Sequence, residues 1–295
     1  VDGSAGSVTI QVGDSGASNG NKLNLLAGKS TASTGGNVAV VSGEGAEKSG
    51  AVAISSANGV DGSTSGDTSV TTGNSDSASG NIVLGSGNAN DVAGSVALLA
   101  GSSATSTGGD VIVNAGSSGA ASGGSVTIES GAGSALGYSG AIKVSSSAGV
   151  GTVYSGDVQV GSGATLSGDS GIVTVSTGST ATGAVGDLRV IGGSSSRSTG
   201  GNVVVEGGIS TGGQQGGSLR LASGAGEASS SGPVTLSSGD AATSGTSGDV
   251  AVQSGKASDS TGAVLLSSGD SLAMRAGDVT VGTGKGILEG GSIRM

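Results

Sequence analysis

The side chains that most often do chemistry in proteins are missing from this chain of 295 residues or scattered along it. It contains no His and no Cys, so the commonest general base, the thiol nucleophile and the soft metal ligands are absent. Asp and Glu number 21, but only 2 Tyr could serve as aromatic platforms for a sugar. The composition therefore argues against an enzyme and offers no cofactor-binding motif.

Four aspartates are the only candidates for a metal site. Asp157 and Asp187 each follow the first Gly of a repeated segment, and so do Asp249 and Asp278. If those segments stack, each pair places like charges next to each other, and they repel unless a cation lies between them. Loosely bound Ca²⁺ is one interpretation. Solvated carboxylates at a sheet edge are the other, and the sequence favours them.

The repeated segment has the form Gly-x-Val-x-Val-x-x-Gly, in which Ile or Leu can replace Val. About twenty copies follow one another every fifteen residues or so, from GSVTIQVG at Gly6 to GDVTVGTG at Gly277. Alternation within a copy predicts a short strand with one buried face, and the fixed period predicts a solenoid. We therefore predict an all-β fold, a flat parallel β-solenoid of about twenty 15-residue units, forming a single continuous domain over 1–295.

Between the predicted strands lie turns rich in Ser, Gly, Thr, Asn and Asp. An apolar residue such as Leu166 or Leu272 often stands near the middle of a turn, and we interpret it as a plug that closes the edge of a thin core. The residue before the closing Gly is nearly always small, as at Ser42 and Ala100, with Val12 as the exception. We expect that only small side chains fit where the strand bends into its turn.

A second, longer period separates odd from even units. In odd units the residue after the first Gly is always Ser, Asn or Asp, whereas in even units it varies and includes Lys22, Ile172 and Pro233. This split predicts a coil of two units and about thirty residues, with two strands facing each other across the interior. A coil of one unit is the alternative.

The outward position between the two inner aliphatic residues also differs between the two series. The even series is mixed and includes Lys143 and Arg294, but four of its units place large apolar side chains there, at Val83, Ile112, Val204 and Leu265. We call these four residues the even face. An exposed apolar stripe indicates contact with another molecule, although strand propensity alone could also explain it. For Tyr138 and Tyr154, which stand in successive turns, turn filling is favoured over contact with a partner or a glycan.

The net charge of −10 and the pI near 4.2 argue against nucleic acid and anionic membrane surfaces as partners. No stretch of eighteen apolar residues occurs, so we predict no membrane insertion. The sequence starts at Val1 and stops inside a repeat at Met295, and we expect it to be a segment of a longer chain.

Units such as GGDVIVNAG and GGSVTIESG resemble the Gly/Ser-rich β-solenoid repeats of extracellular fibres, adhesins and flagellar hairs of aquatic microbes. This resemblance of pattern covers the whole chain and points to no single family. It implies a non-catalytic, extracellular building block of a filament or surface coat that associates with itself or with other fibre subunits, and with glycans as further candidate partners. The alternatives are an ice-binding solenoid, although the outward positions form no Thr array and include Arg189 and Arg220, and an adhesin or polysaccharide-binding solenoid.

Overall fold

The computed structural model describes residues 6–16, 19–134, 137–151 and 154–294. Within these ranges the backbone forms no helix and no hydrogen-bonded strand. The chain divides into two large units, Val1–Val144 and Ser145–Met295, which are distinct from the 15-residue units of the repeat. The regular features that recur within each unit are the turns between repeats and the alternation of exposure along each repeat. The parallel solenoid and its two-unit coil stay predictions.

Many of the turns close on a backbone hydrogen bond between two glycines. The closing Gly of one repeat accepts this bond through its carbonyl oxygen, and the opening Gly of the next repeat donates it. Gly36 donates to Gly28 at an N–O distance of 2.9 Å in the first unit, and Gly201 donates to Gly193 at 2.8 Å in the second. The same bond joins the pairs 43 and 50, 101 and 109, 116 and 124, 131 and 140, 208 and 217, 224 and 232, and 284 and 291. Each such turn therefore reverses the chain and holds the ends of neighbouring repeats together.

We call the place where a closing Gly meets the next opening Gly the turn base. At the tightest turn bases glycine is needed, because the two backbone segments approach too closely for a side chain. A Cβ on Gly36 would lie 3.2 Å from the amide nitrogen of Gly28 and 3.3 Å from the Cβ of Ala27. A Cβ on Gly217 would lie 2.9 Å from the amide nitrogen of Gly208. Backbone atoms cannot rotate aside as the end of a flexible side chain can. At Gly36 and Gly217 the repeat therefore opens with Gly for a reason of space.

The same geometry explains the small residue before each closing Gly. A Cβ on the opening Gly50 would lie 3.3 Å from the Cβ of Ser42, and one on Gly109 would lie 3.5 Å from that of Ala100. A side chain on the opening Gly would therefore touch the residue before the preceding closing Gly, and that only a small residue fits there stays a prediction. Val12, the exception, belongs to a turn base where Asn21 replaces the opening Gly. Among the described residues only Val12, Ser30, Ser42, Gly192 and Ser238 have intermediate exposure, and all but Ser30 precede a closing Gly.

One further turn has a different form. Asp61 and Gly62 have φ values of 51° and 83°, and the Ser63 amide donates to the Val60 carbonyl at 3.0 Å. Two central residues with positive φ define the tight turn that Asp-Gly favours. The Ser63 hydroxyl donates to the same carbonyl at 2.7 Å and accepts from the Val60 amide at 3.0 Å. This short turn is therefore closed by both backbone and side chain.

Exposure alternates along the repeats as the sequence pattern predicts. Ile82 is 49% exposed, Val83 86% and Leu84 71%, so the middle residue faces outward more than its neighbours. The other repeats with three successive large aliphatic residues show the same order, at 111–113, 203–205 and 264–266. In these four repeats the predicted inner residues are thus the better covered ones and the first of each pair is covered best, whereas Val8 is 91% exposed and Ile10 69%.

No side chain of the described residues is buried. The solvent-accessible surface of the chain is 29244 Å². A folded monomer of 26.7 kDa is expected to expose about 10,700 Å², and the unfolded chain about 38,700 Å². The turn residues Leu166, Leu272 and Ile287 are fully exposed, and their role as plugs stays a prediction together with the core that they would close. The single chain therefore leaves most of its apolar surface open to a partner.

Candidate functional site

The even face consists of the outward side chains Val83, Ile112, Val204 and Leu265, all of them strongly exposed. Val83 and Ile112 belong to the first unit, and Val204 and Leu265 to the second. Each is flanked by two aliphatic residues that are less exposed. Their outward orientation within each repeat agrees with the sequence pattern. That they join into one contact surface stays a prediction.

Three of the four aspartates proposed for a cation, Asp157, Asp187 and Asp249, form no ion pair within the described ranges. Asp278 is paired with Arg275, whose Nη2 lies 3.0 Å from Oδ1 and 3.3 Å from Oδ2. Both side chains are exposed, so this pair contributes at most about 1 kcal/mol to stability. A cation at Asp278 would have to compete with this guanidinium.

No group of three or more Asp, Glu, His or Cys side chains comes together among the residues that the structure describes. Calcium prefers six to eight oxygen ligands, so a single exposed carboxylate gives little affinity. Nothing in the described part of the chain gathers the ligands that a metal needs. The calcium hypothesis therefore stays a sequence prediction.

The two tyrosines are the only aromatic residues of the chain, and they occupy the same place in the repeat. Tyr138 stands two residues before the opening Gly140, and Tyr154 two residues before the opening Gly156. Their side chains are 101% and 98% exposed. Turn filling, which the sequence favoured, and contact with another molecule both stay predictions.

Sequence reasoning missed a set of hydroxyl groups that shape the turns. Ser103 lies two residues after the closing Gly101, and its Oγ accepts from the amides of Thr105 at 3.4 Å and Ser106 at 2.9 Å. Ser30, Ser118 and Ser195 make the same pair of bonds in their own turns. Such local bonds to the backbone are what Ser and Thr favour in turns. The available signal was a recurrent Gly-x-Ser whose Gly stands eight residues before the next opening Gly.

No helix long and apolar enough to cross a membrane occurs in the described ranges. Comparison with models of known families, with curated proteins and with solved structures finds no match for this chain. The function must therefore be argued from the repeat, its turns and its exposed residues.

Proposed function

We propose that this chain is a non-catalytic structural protein, a building block of an extracellular filament or surface coat. Its repeats stack as a parallel β-solenoid, and the even face forms lateral contacts with further copies. The observation that supports this proposal most is the repeat itself, whose alternating aliphatic residues recur along the whole sequence and are not buried in the described part of the chain.

Burial of the inner residues supplies the driving force for stacking the repeats. In most repeats two inner aliphatic side chains are half or more exposed, as Ile82 and Leu84 are. Full burial of such a side chain contributes about 1.5 to 3 kcal/mol, so half-burial leaves roughly 0.8 to 1.5 kcal/mol to be gained at each. Ordering the backbone opposes this gain by about 1 to 2 kcal/mol per residue that becomes fixed. The balance becomes favourable only when many repeats are covered together.

The best-matched partner is a further copy of the same chain. A surface that repeats every fifteen residues or so is matched along its whole length only by another surface of the same period. A second copy of this chain presents such a surface. The charge of −10 makes copies repel at long range, but at physiological ionic strength this repulsion is screened beyond about 8 Å. Short-range apolar contact at the even face can therefore hold acidic copies together.

The test replaces Val83, Ile112 and Val204 together by Lys. We expect this variant to remain dispersed where the parent assembles, because each Lys places a charge on a surface that assembly must desolvate. Assembly is measured by light scattering and by electron microscopy of negatively stained samples.

The matched control introduces the same three charges at the outward positions of odd units, as Ala39→Lys, Ala97→Lys and Ala251→Lys. We expect the control to assemble like the parent, since its even face is intact. Normal assembly of the even-face variant would place the contact elsewhere. Loss of assembly in both variants would show that added charge, and not the even face, decides the outcome.

A further inference from the structure

We propose that Tyr138 and Tyr154 are sites of oxidative phenol–phenol cross-linking between copies of this chain. The inference rests on the proposed structural role, because bridges between copies require copies that lie next to each other. The juxtaposition that carries it is two equivalent, fully exposed phenols in successive turns of a chain with no other aromatic residue.

The two tyrosine rings are left uncovered by their own turns. A tyrosine ring is mostly apolar, and leaving it in water forgoes the stabilisation that burial would give. Both rings extend beyond the turn and neither packs on it. Both are also followed by Ser and Gly, so the same side chain occupies the same register position in two consecutive turns. The repetition points to a role of the ring outside its own turn.

The composition directs one-electron oxidation to these two phenols. Trp and Cys, the other side chains that readily give up one electron, are absent. The exposed Met274 reacts with peroxide differently, by gaining an oxygen atom to form a sulfoxide. That reaction forms no bond between chains. An oxidant that reaches the turns therefore leaves its radical on Tyr138 or Tyr154.

The reaction needs a haem peroxidase and hydrogen peroxide as its co-reactants. Each of two phenols loses one electron and one proton to give a phenoxyl radical. The radicals join through the ring carbons next to the hydroxyl groups, and the hydrogens on those carbons move to the oxygens. Two tyrosines thus lose two hydrogen atoms in all, and hydrogen peroxide is reduced to two molecules of water. The product is dityrosine, a stable carbon–carbon bridge.

Two tyrosines per chain give each copy two points of attachment. In the proposed two-unit coil, successive turns lie at opposite edges, so Tyr138 and Tyr154 would reach different neighbours. A chain with two attachment points forms an extended covalent series, whereas a chain with one can form only pairs. The number of copies in the cross-linked product therefore reports directly on the inference.

The experiment treats the assembled parent with horseradish peroxidase and hydrogen peroxide, and resolves the products on a denaturing gel and by mass spectrometry. We expect a series of bands above the dimer, dityrosine fluorescence, and a loss of two hydrogen atoms per bridge. Tyr138→Phe and Tyr154→Phe should each stop at the dimer, and the double variant should give no bridge. Phe keeps the ring and removes the phenol, so all three variants should assemble like the parent before oxidation.

A variant with a tyrosine elsewhere serves as the positional control. Leu166→Tyr in the background of both Phe substitutions carries one exposed phenol in another turn. We expect it to form far fewer dimers than either single Phe variant, because assembly does not place Leu166 against its counterpart. Equal yields of dimer would overturn the inference, since any exposed phenol would then do.

Three further outcomes would also overturn it. A monomer that has lost two hydrogen atoms would contain a bridge from Tyr138 to Tyr154 within one chain and none between copies. Assembly without any dityrosine would leave the proposed structural role standing and remove the cross-linking alone. If the parent fails to assemble, the proposed role fails. Dimers that form only by random encounter overturn the inference as well, and they are recognised by a rate that falls with the square of dilution.

Discussion

The hydrogen bond between two glycines at the turn base can be tested by adding one methyl group. We expect Gly36→Ala, Gly201→Ala and Gly217→Ala in one chain to lower the free energy of unfolding. The added Cβ atoms would lie 3.2, 3.0 and 2.9 Å from the amide nitrogens of Gly28, Gly193 and Gly208. Each turn base must open to relieve that approach, and its bond of 2.8 to 2.9 Å is lost.

The magnitude follows from comparison with a matched triple variant. Gly66, Gly186 and Gly277 also open repeats, but no heavy atom among the described residues lies within 4 Å of their Cβ positions, chain neighbours aside. Replacing Gly by Ala restricts the unfolded chain and stabilises by about 0.4 to 1 kcal/mol per site, equally in both variants. A lost hydrogen bond costs about 0.5 to 1.5 kcal/mol net. For three separate sites the turn-base variant should therefore be less stable than its control by about 1.5 to 4.5 kcal/mol.

The measurement is urea unfolding followed by far-ultraviolet circular dichroism, with the parent and both variants at the same dilute concentration. The free energies come from linear extrapolation to zero urea, and equal slopes are required for the comparison. Coincident midpoints of the two triple variants would refute the reasoning. The turn-base bonds would then contribute nothing to the stability of the chain.

Four other predictions follow from the turns, the charge and the repeat. Ser103→Ala and Ser118→Ala should each cost about 1 kcal/mol in urea unfolding, whereas Ser102→Ala and Ser117→Ala, one residue earlier in the same turns, should be neutral; equal effects would contradict a role for the bonds from Ser103 and Ser118. The two-unit coil predicts a body about 50 Å long, from ten coils spaced about 4.8 Å, and a length near 100 Å in electron micrographs would favour one unit per coil. Added salt should promote assembly as measured by light scattering, because it screens the charge of −10; salt-induced dissolution would show that ion pairs hold the copies together. The circular dichroism spectrum of the assembled chain should be that of β structure, and a spectrum dominated by helix or random coil would exclude the solenoid.

The sequence predicted the local features that depend on space and alternation. The outward orientation of Val83 between Ile82 and Leu84 follows from the period of two, which any extended backbone imposes on its side chains. The small residue opposite each opening Gly, as in Ala100 and Gly109, follows from the repeated choice of Ser, Ala, Thr or Gly. Both features are fixed within one turn and two repeat ends, so the sequence there carries all that is needed.

The features that the sequence did not predict concern the positions and hydrogen bonds of the turn side chains. Leu166 and Tyr138 are apolar or aromatic and stand in the middle of turns, which suggested that they fill space there. Both are fully exposed in the described chain, and whether a turn has an interior for them to fill depends on how the repeats stack. The hydroxyl of Ser103 was overlooked because Ser is so common in these turns that its position within them drew no attention. The packing of one repeat on another depends on contacts between distant parts of the chain, and the alternation within a repeat does not determine them.

Each turn closed by a glycine pair also holds chain length in reserve. Gly28 and Gly36 are joined at an N–O distance of 2.9 Å, although the eight residues from one to the other span about 26 to 29 Å when extended. Pulling on the chain would open these loops one after another, each releasing its slack at the expense of a single hydrogen bond. A filament made of such repeats would stretch and dissipate work at its turns before any apolar contact between copies had to part.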